Sequence, residues 1–519
     1  MTTDILVIGT GISGLTYAIK IALLSPKKRI ILICKSNLDE GNTKYAQGGI
    51  AVVSNFKKDS YEKHINDTLI AGAGMCNKKV VDFVVKEGGK RLKELIDWGT
   101  EFDKKKQNKF DLGREGGHSA QRIVHHKDHS GSEIIRALIE KIKGLKNIKY
   151  LENHLLVDLI TDHHMISAPK RCYGAYVISI TDQKIIKITS KISILSTGGA
   201  GQLFEFTTNP KGATGDGLGA AYRAKVQIKN LPYVQFHPTV LYSKVNDDSF
   251  LITEAIRGKG AKLKNINGEK FMHKYDDRGE LASRDIVSRA ISSEMKKNGS
   301  KYVLLDTTNI KKEIFEKNFP KILETCKSIN NNPLKQSIPV VPAAHYFCGG
   351  IEVDIYGRTS LNGLYAVGEC SYTGLHGSNR LASNSLLESI VFSHRAAKAS
   401  IDEIDNLKIE KNIYDSIPQW NGKQSISNQE LKVIFKLKLQ LQKIMSKQVS
   451  IFKTYNGLLM AEKKLKKLYE KSLNLYNEKK LTPQLCELRN MVSVSYLLIK
   501  QSLEIKSNSG VFFNQDYVK

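Results

Sequence analysis

Residues 4–34 restrict the possible fold more than any other stretch of this chain. Asp4-Ile5-Leu6-Val7-Ile8 reads as a short buried strand that runs straight into Gly9-Thr10-Gly11-Ile12-Ser13-Gly14. An apolar-periodic helix follows through Leu24, and Ile30-Ile31-Leu32-Ile33-Cys34 supplies a second strand. The result is a β-α-β unit, which calls for a mostly parallel sheet covered by helices. Gly9, Gly11 and Gly14 allow a tight turn and close backbone approach, and the helix N-terminus offers unpaired N–H groups to a pyrophosphate. The second strand ends in Cys34-Lys35, where an acidic residue usually holds a ribose hydroxyl. That substitution argues against a plain NAD site.

At 519 residues the chain is long enough for more than one domain. Its 41% hydrophobic and 25% charged content is that of a soluble globular protein. No stretch has the apolar length to cross a bilayer, and Asp4 enters a strand too early for a secretory leader, so a cytoplasmic protein is expected. Seven cysteines, odd in number and without a Cys-x-x-Cys pair, fit reduced thiols and neither a disulfide frame nor a zinc site. The net charge of +27 comes from lysines spread over most of the chain, densest in the last hundred residues. With no nucleic-acid motif among them, they read as solvated surface that also draws anionic substrates, with nucleic-acid binding as the lesser alternative.

A second glycine-rich turn, Gly374-Leu375-His376-Gly377-Ser378-Asn379-Arg380, follows the strand expected over 363–369 and leads into a helical pattern near Leu386. Its arginine could grip a carboxylate through two parallel hydrogen bonds, or could be an exposed residue in a helix cap. A third such segment is Glu40-Gly41-Asn42-Thr43-Lys44-Tyr45-Ala46-Gln47-Gly48-Gly49, a surface loop or a backbone cradle. His125, His126 and His129 lie within five residues and could in principle hold a metal. Ser132 reads as the cap of the helix after them, and no metal site is expected.

Four motifs recur in a fixed order: the Gly9–Gly14 turn, Tyr45-Ala46-Gln47-Gly48-Gly49, Gln235-Phe236-His237-Pro238-Thr239 and His376-Gly377-Ser378-Asn379-Arg380-Leu381. Together they resemble the flavoproteins of succinate dehydrogenase and fumarate reductase, from residue 4 to about residue 505. The resemblance implies an α/β fold: a Rossmann-like FAD-binding domain (1–230 and 345–402), an inserted α+β capping domain (231–344) and a C-terminal helical domain (403–519). It implies one FAD per chain, with Gly9, Thr10, Gly11, Ile12, Ser13 and Gly14 around the pyrophosphate and Lys35 after the second strand. Asn42, Thr43, Lys44, Tyr45, Ala46, Gln47, Gly48 and Gly49 would wrap the isoalloxazine, and Asp216, Glu369, Ser385 and Leu386 would complete the pocket. By the same resemblance His237, Thr253, His345, Arg380 and Ser383 would hold a four-carbon dicarboxylate. Arg284 would transfer a proton, and Glu254 and Arg257, three apart on one helix face, would relay it. A structural ion-pair network is the other reading of those three.

Two positions separate branches of the family. Membrane-bound members attach FAD through a histidine where this chain has Asn42, so non-covalent FAD is expected. Glu115, in Arg114-Glu115-Gly116-Gly117-His118, stands where the dicarboxylate reductases carry an aromatic residue. A carboxylate there suits a substrate ammonium and would repel succinate. The resemblance therefore implies oxidation of L-aspartate to iminoaspartate, with O₂ or fumarate as acceptor and a link to quinolinate synthase and NAD formation. A soluble fumarate reductase and a non-enzymatic basic protein on a flavin scaffold are the alternatives. One departure lies in the tail. Where the family carries Glu-Ser-Arg-Gly and then His, this chain has Ser507-Asn508-Ser509-Gly510-Val511-Phe512.

Overall fold

The computed structural model describes residues 1–105, 109–162, 170–243, 250–407, 411–420 and 426–518. The opening unit forms as its pattern predicts: strand Thr2–Ile8, helix Ile12–Leu24 and strand Ile30–Ile33. The two strands pair in parallel with Ile5 opposite Ile30, and the first pairs on its other side with Ile185–Leu195, Ile5 opposite Ile192. Being central, Ile5, Leu6 and Val7 are fully buried, as a strand covered on both faces must be.

The main sheet has seven strands. Ile148–Leu151, Ile30–Ile33, Thr2–Ile8 and Ile185–Leu195 run parallel, with Leu364–Ala366 joining Ile185–Leu195 in parallel as well. Cys172–Ser179 and His154–Thr161 extend the sheet as an antiparallel pair. Helix Ile12–Leu24 packs against helix Asn384–Asn406, with Ser393 Oγ donating to Ser13 O (2.8 Å) and Tyr17 bonded to Ser400 (2.7 Å).

Between the two parts of this sheet unit the chain builds a four-stranded antiparallel sheet, ordered Val234–Leu241, Ile338–Phe347, Val303–Asp306 and Lys262–Lys264. Helix Arg284–Lys297 packs on its first strand. Ile252, Phe271, Val287, Ile291 and Phe315 form a core of their own here. Val234 and Phe236 instead belong to the main core, so the strand that carries His237 begins in one core and ends in the other.

Three long helices, Asn428–Gln448, Tyr455–Glu478 and Pro483–Glu504, complete the chain. The alternating stretch 436–442 is helical: Leu437 and Leu441, four apart, are buried, and Leu439 faces out. Leu458, Ala461, Leu465 and Leu468 share a buried face. In the last helix Leu485, Leu488, Val492 and Ile499 are buried, but Tyr496, which lies among them at helical spacing, is 39% exposed. The buried stripe is centred on Leu488, Ser495 and Ile499, and the 100° advance per residue puts Tyr496 at its edge, where the phenol reaches water.

The tail after it is well packed despite its departure from the family pattern. Phe512 is fully buried against Tyr233, Val511 N–H donates to Ser378 O (3.0 Å), and Arg289 donates to Gly510 O (2.9 Å). All seven cysteines are free thiols, six buried and Cys76 half-buried. Among the described residues no helix is long and apolar enough to cross a membrane.

Candidate active site

One elongated cavity brings most of the predicted residues together. It is lined by Gly9, Thr10, Gly11, Ile12, Ser13, Lys35, Asn42, Thr43, Tyr45, Ala46, Gln47, Gly48, Gly49, Asp216, Glu369, Ser385 and Leu386. The same cavity is walled by Glu115, His237, Thr253, Glu254, Arg284, His345, Arg380 and Ser383. Gly14, Lys44 and Arg257 stand off it. A Cβ on Gly14 would lie 2.0 Å from Gly9 O, so Gly14 serves helix–strand packing. Lys44 turns outward to Asp39 (2.6 Å) and Glu40 (3.7 Å). Arg257 sits behind Glu254 and donates to Glu280 O.

Arg380 is the charge least accounted for. It is 5% exposed and has no carboxylate partner among the described residues. Its guanidinium lies 4.5 Å from the centre of the Tyr346 ring and donates to Ser385 Oγ (3.0 Å) and Gln235 Oε1 (3.1 Å), while its Nε has no partner. Burial and the neighbouring Arg284 lower its pKa to about 10. A buried cation without a counter-ion is costly unless an anion completes it. Tyr346 is itself held by Glu388 (3.0 Å) and His376 (3.2 Å).

His237 and His345 lie with ring centres 5.2 Å apart. Burial, with Arg284 near the first and Arg380 near the second, keeps both pKa values well below the ordinary range, so both rings are neutral. The backbone N–H of Thr239 donates to His237 Nδ1 (3.2 Å), which leaves the ring proton on Nε2. His345 Nδ1 bonds Thr208 Oγ1 (2.8 Å).

Arg284 pairs with Glu254 (2.7 Å), and Glu254 also faces Arg257 (3.4 Å). Burial pushes the Glu254 carboxyl up, but Arg284 and Arg257 together hold it below its usual range. Glu115 is the opposite case: burial raises its carboxyl, Arg284 opposes, and Glu254 adds to the rise. Its Oε2 accepts from Ser383 Oγ at 2.6 Å, and Ser383 occupies the left-handed region (φ 60°) at the start of helix Asn384–Asn406. Gly48 makes room for this carboxylate, since a Cβ there would come within 2.8 Å of Glu115 Oε1.

Several partners of the predicted residues escape prediction from the sequence. Lys35 Nζ is enclosed by Asp216 (2.8 Å), Thr214 (2.8 Å) and Glu487 (2.9 Å), and Asn490 also donates to Asp216 (2.9 Å). Glu487 and Asn490 come from the last helix, hundreds of residues away, and no local signal marks them. Gln47 reaches across to Leu251 O (2.6 Å). Gln235 does have a signal, since it lies two residues before His237 in the motif Gln235-Phe236-His237-Pro238-Thr239.

The histidine cluster divides among separate partners: His125 with Asp103, His126 with Glu101 O and His129 with Asp128. Ser132 does not cap the helix Ser130–Lys143 as expected. It is the third residue of that helix, past the cap position, and donates to Lys44 O (2.9 Å).

Residues 4–386 match the family model described as FAD binding domain, and residues 438–519 match the one described as fumarate reductase flavoprotein C-term. The chain is 40% identical to L-aspartate oxidase 1 of Ralstonia nicotianae, covering 100% of this chain and 96% of that protein. It is also 40% identical to L-aspartate oxidase of Yersinia pestis, covering 99% and 96%. The chain belongs to the L-aspartate oxidase branch of the succinate dehydrogenase and fumarate reductase flavoproteins.

Among solved structures, E. coli quinol fumarate reductase FrdA superposes with a TM-score of 0.90 at 26% identity, covering 100% of this chain and 92% of that one. FAD is the cofactor of this flavoprotein. The glycine turn fits it: Gly11 at the N-cap adds no side chain ahead of the first helix, Ile12 N–H donates to Thr43 Oγ1 (3.1 Å), and Thr10 Oγ1 is buried without a partner among the described residues. Burial raises the Glu369 carboxyl to about 7, and its oxygens accept from Phe347 N–H (3.1 Å) and Asn42 Nδ2 (2.7 Å). Such a carboxyl can also accept from ribose hydroxyls.

Proposed function

We propose that this chain oxidises L-aspartate to iminoaspartate with non-covalently bound FAD, as the first step toward quinolinate and NAD. FAD, when bound, supplies the hydride acceptor, and its reoxidation by O₂ (giving H₂O₂) or by fumarate (giving succinate) completes turnover. One observation carries the substrate assignment: the same cavity holds an arginine without a counter-ion among the described residues, Arg380, and a buried carboxylate, Glu115. A molecule with carboxylates and an ammonium satisfies both, whereas succinate would meet Glu115 as a like charge.

Arg380, the Nε2–H group of His237, the His345 ring and the Thr253 hydroxyl bind the two carboxylates. Glu115, steadied by Ser383, takes the ammonium. Fixing Cα–H in this way is chiefly an orientation effect, and the neutral histidines add hydrogen bonds without further charge. Arg284 delivers the proton that completes succinate when fumarate is the acceptor, and Glu254 and Arg257 return it. The insertion 231–344 acts as a cap that excludes water, and Asn42 leaves FAD dissociable because an amide cannot form the histidyl bond. We further place the protein in the cytoplasm, where its product would pass to quinolinate synthase.

Anaerobic titration of the holoenzyme tests the assignment. L-Aspartate should bleach the flavin absorbance and succinate should not. Bleaching by succinate alone would establish a fumarate reductase instead.

A further inference from the structure

Gln235 is completely buried on the strand that carries His237, and its side chain touches both active-site cations. Its Oε1 accepts from Arg284 Nη1 (3.2 Å) and from Arg380 Nη2 (3.1 Å). Two guanidinium groups are thus drawn to a single neutral oxygen. The amide cannot turn over, because its Nε2 donates to Asn379 Oδ1 (2.8 Å) and to Arg380 O (2.8 Å). A flip would place its N–H₂ against both cations. Asn379 in turn donates to Asp285 (3.1 Å), the neighbour of Arg284 in the chain. A closed circuit therefore joins the helix bearing Arg284 to the loop bearing Arg380, with Gln235 at its centre.

We propose that Gln235 is a positioning residue that sets the distance between the cation holding a substrate carboxylate, Arg380, and the cation moving a proton, Arg284. The chemistry explains the residue type. A carboxylate at this position would pair with both arginines and compete with the substrate. An apolar residue would leave two buried like charges to repel one another. An amide oxygen offsets the repulsion and leaves the full positive charge for a dianion. The proposal rests on the dicarboxylate reading of this cavity and adds a prediction about acceptor choice. Reduction of fumarate needs a proton placed on carbon and reoxidation by O₂ does not, so the two turnovers depend differently on Arg284.

The test uses the FAD-loaded enzyme and its Gln235→Ala and Gln235→Glu variants. Fumarate binding is read from the shift in flavin absorbance, and turnover with L-aspartate is read with each acceptor. Losing a buried hydrogen bond to a charged group should weaken fumarate binding by about tenfold to a hundredfold. In Q235A the ratio of fumarate-supported to O₂-supported turnover at saturating L-aspartate should fall by about tenfold or more. Q235E, nearly isosteric and able to order both arginines, should bind fumarate no better than Q235A. A merely structural glutamine predicts instead an unchanged acceptor ratio and near-native binding in Q235E, and either result overturns the proposal. If neither variant retains FAD, Asn379→Ala carries the test. It frees the Gln235 amide to rotate and should move the same ratio in the same direction, and an unchanged ratio again overturns the proposal. Failure of the wild type to be bleached by L-aspartate, with the variants still losing fumarate affinity, would remove the aspartate reading and leave the positioning role standing. A wild type that binds no fumarate would remove both.

Discussion

Glu115 shows how much a single carboxylate can decide. It is buried beside Ser383, and the pairing proposed for it with the substrate ammonium requires the ionised form. Glu115→Gln should lower kcat/KM for L-aspartate by about tenfold to a hundredfold, the weight of one charge-assisted hydrogen bond. Fumarate should bind at least as well as before. The pH dependence has a definite sign: burial raises this carboxyl, so the proposed ammonium contact would be present above the raised pKa and lost as pH falls through it. The acid limb of kcat/KM for L-aspartate should therefore lie at higher pH than an ordinary carboxylate would give, and should disappear in E115Q. His237 and His345, already neutral, should not contribute to it. At this scale the motifs name the residues but not their partners. Lys35 was readable as a post-strand lysine, yet its enclosure by Asp216 and Glu487 depends on a helix that begins at Pro483. Gln235 was visible in its motif, but that one oxygen serves two arginines from different elements could emerge only once the chain was folded.

Among the elements, the tail has the most consequence for its length. Gly510 sits at φ 53° with Ser378 O only 2.5 Å from where a Cβ would lie, and Ser378 belongs to the loop that carries Arg380. Gly510→Ala meets both the left-handed strain, about 1 kcal/mol, and a backbone collision. It should lower the Tm by about 2 °C or more and also raise the KM for L-aspartate, because the loop has to shift. Gly268→Ala is the matched control: φ is 85° but nothing lies within 4 Å of the added carbon, so the Tm should fall and the KM should not. Equal KM values in the two variants would show that the tail does not position the loop. Long periodic elements were legible, from the first β-α-β unit to the stripe through Leu458 and Leu468. Their edges were less so. Tyr496 misses the buried stripe by a fraction of a turn, and Ser132 lies past the start of the helix it was expected to cap.

For the molecule as a whole, the +27 charge bears on encounter with anions more than on the fold. Fumarate carries two negative charges and L-aspartate a net one. Raising salt from about 0.01 M to about 0.5 M shrinks the screening length several-fold, so the KM for fumarate should rise about threefold to tenfold and that for L-aspartate by less. Equal responses would mean that the lysine-rich surface plays no part in capture. Composition announced this charge, but not that the cavity itself would contain a cation without a counter-ion. The seven free thiols have a consequence of another kind. An oxidase releases a peroxide beside its own side chains, and only the thiolate form of cysteine reacts with it readily. Burial lifts Cys34, Cys326, Cys348 and Cys486 to about 12 and Cys370 to about 11, and it raises Cys172 as well. The half-buried Cys76 is likewise lifted to about 11. Prolonged turnover in air should therefore leave the thiols unoxidised by mass spectrometry, with Cys76 the first to change. Where the sulfur lies would thus shield it from a peroxide formed at the flavin.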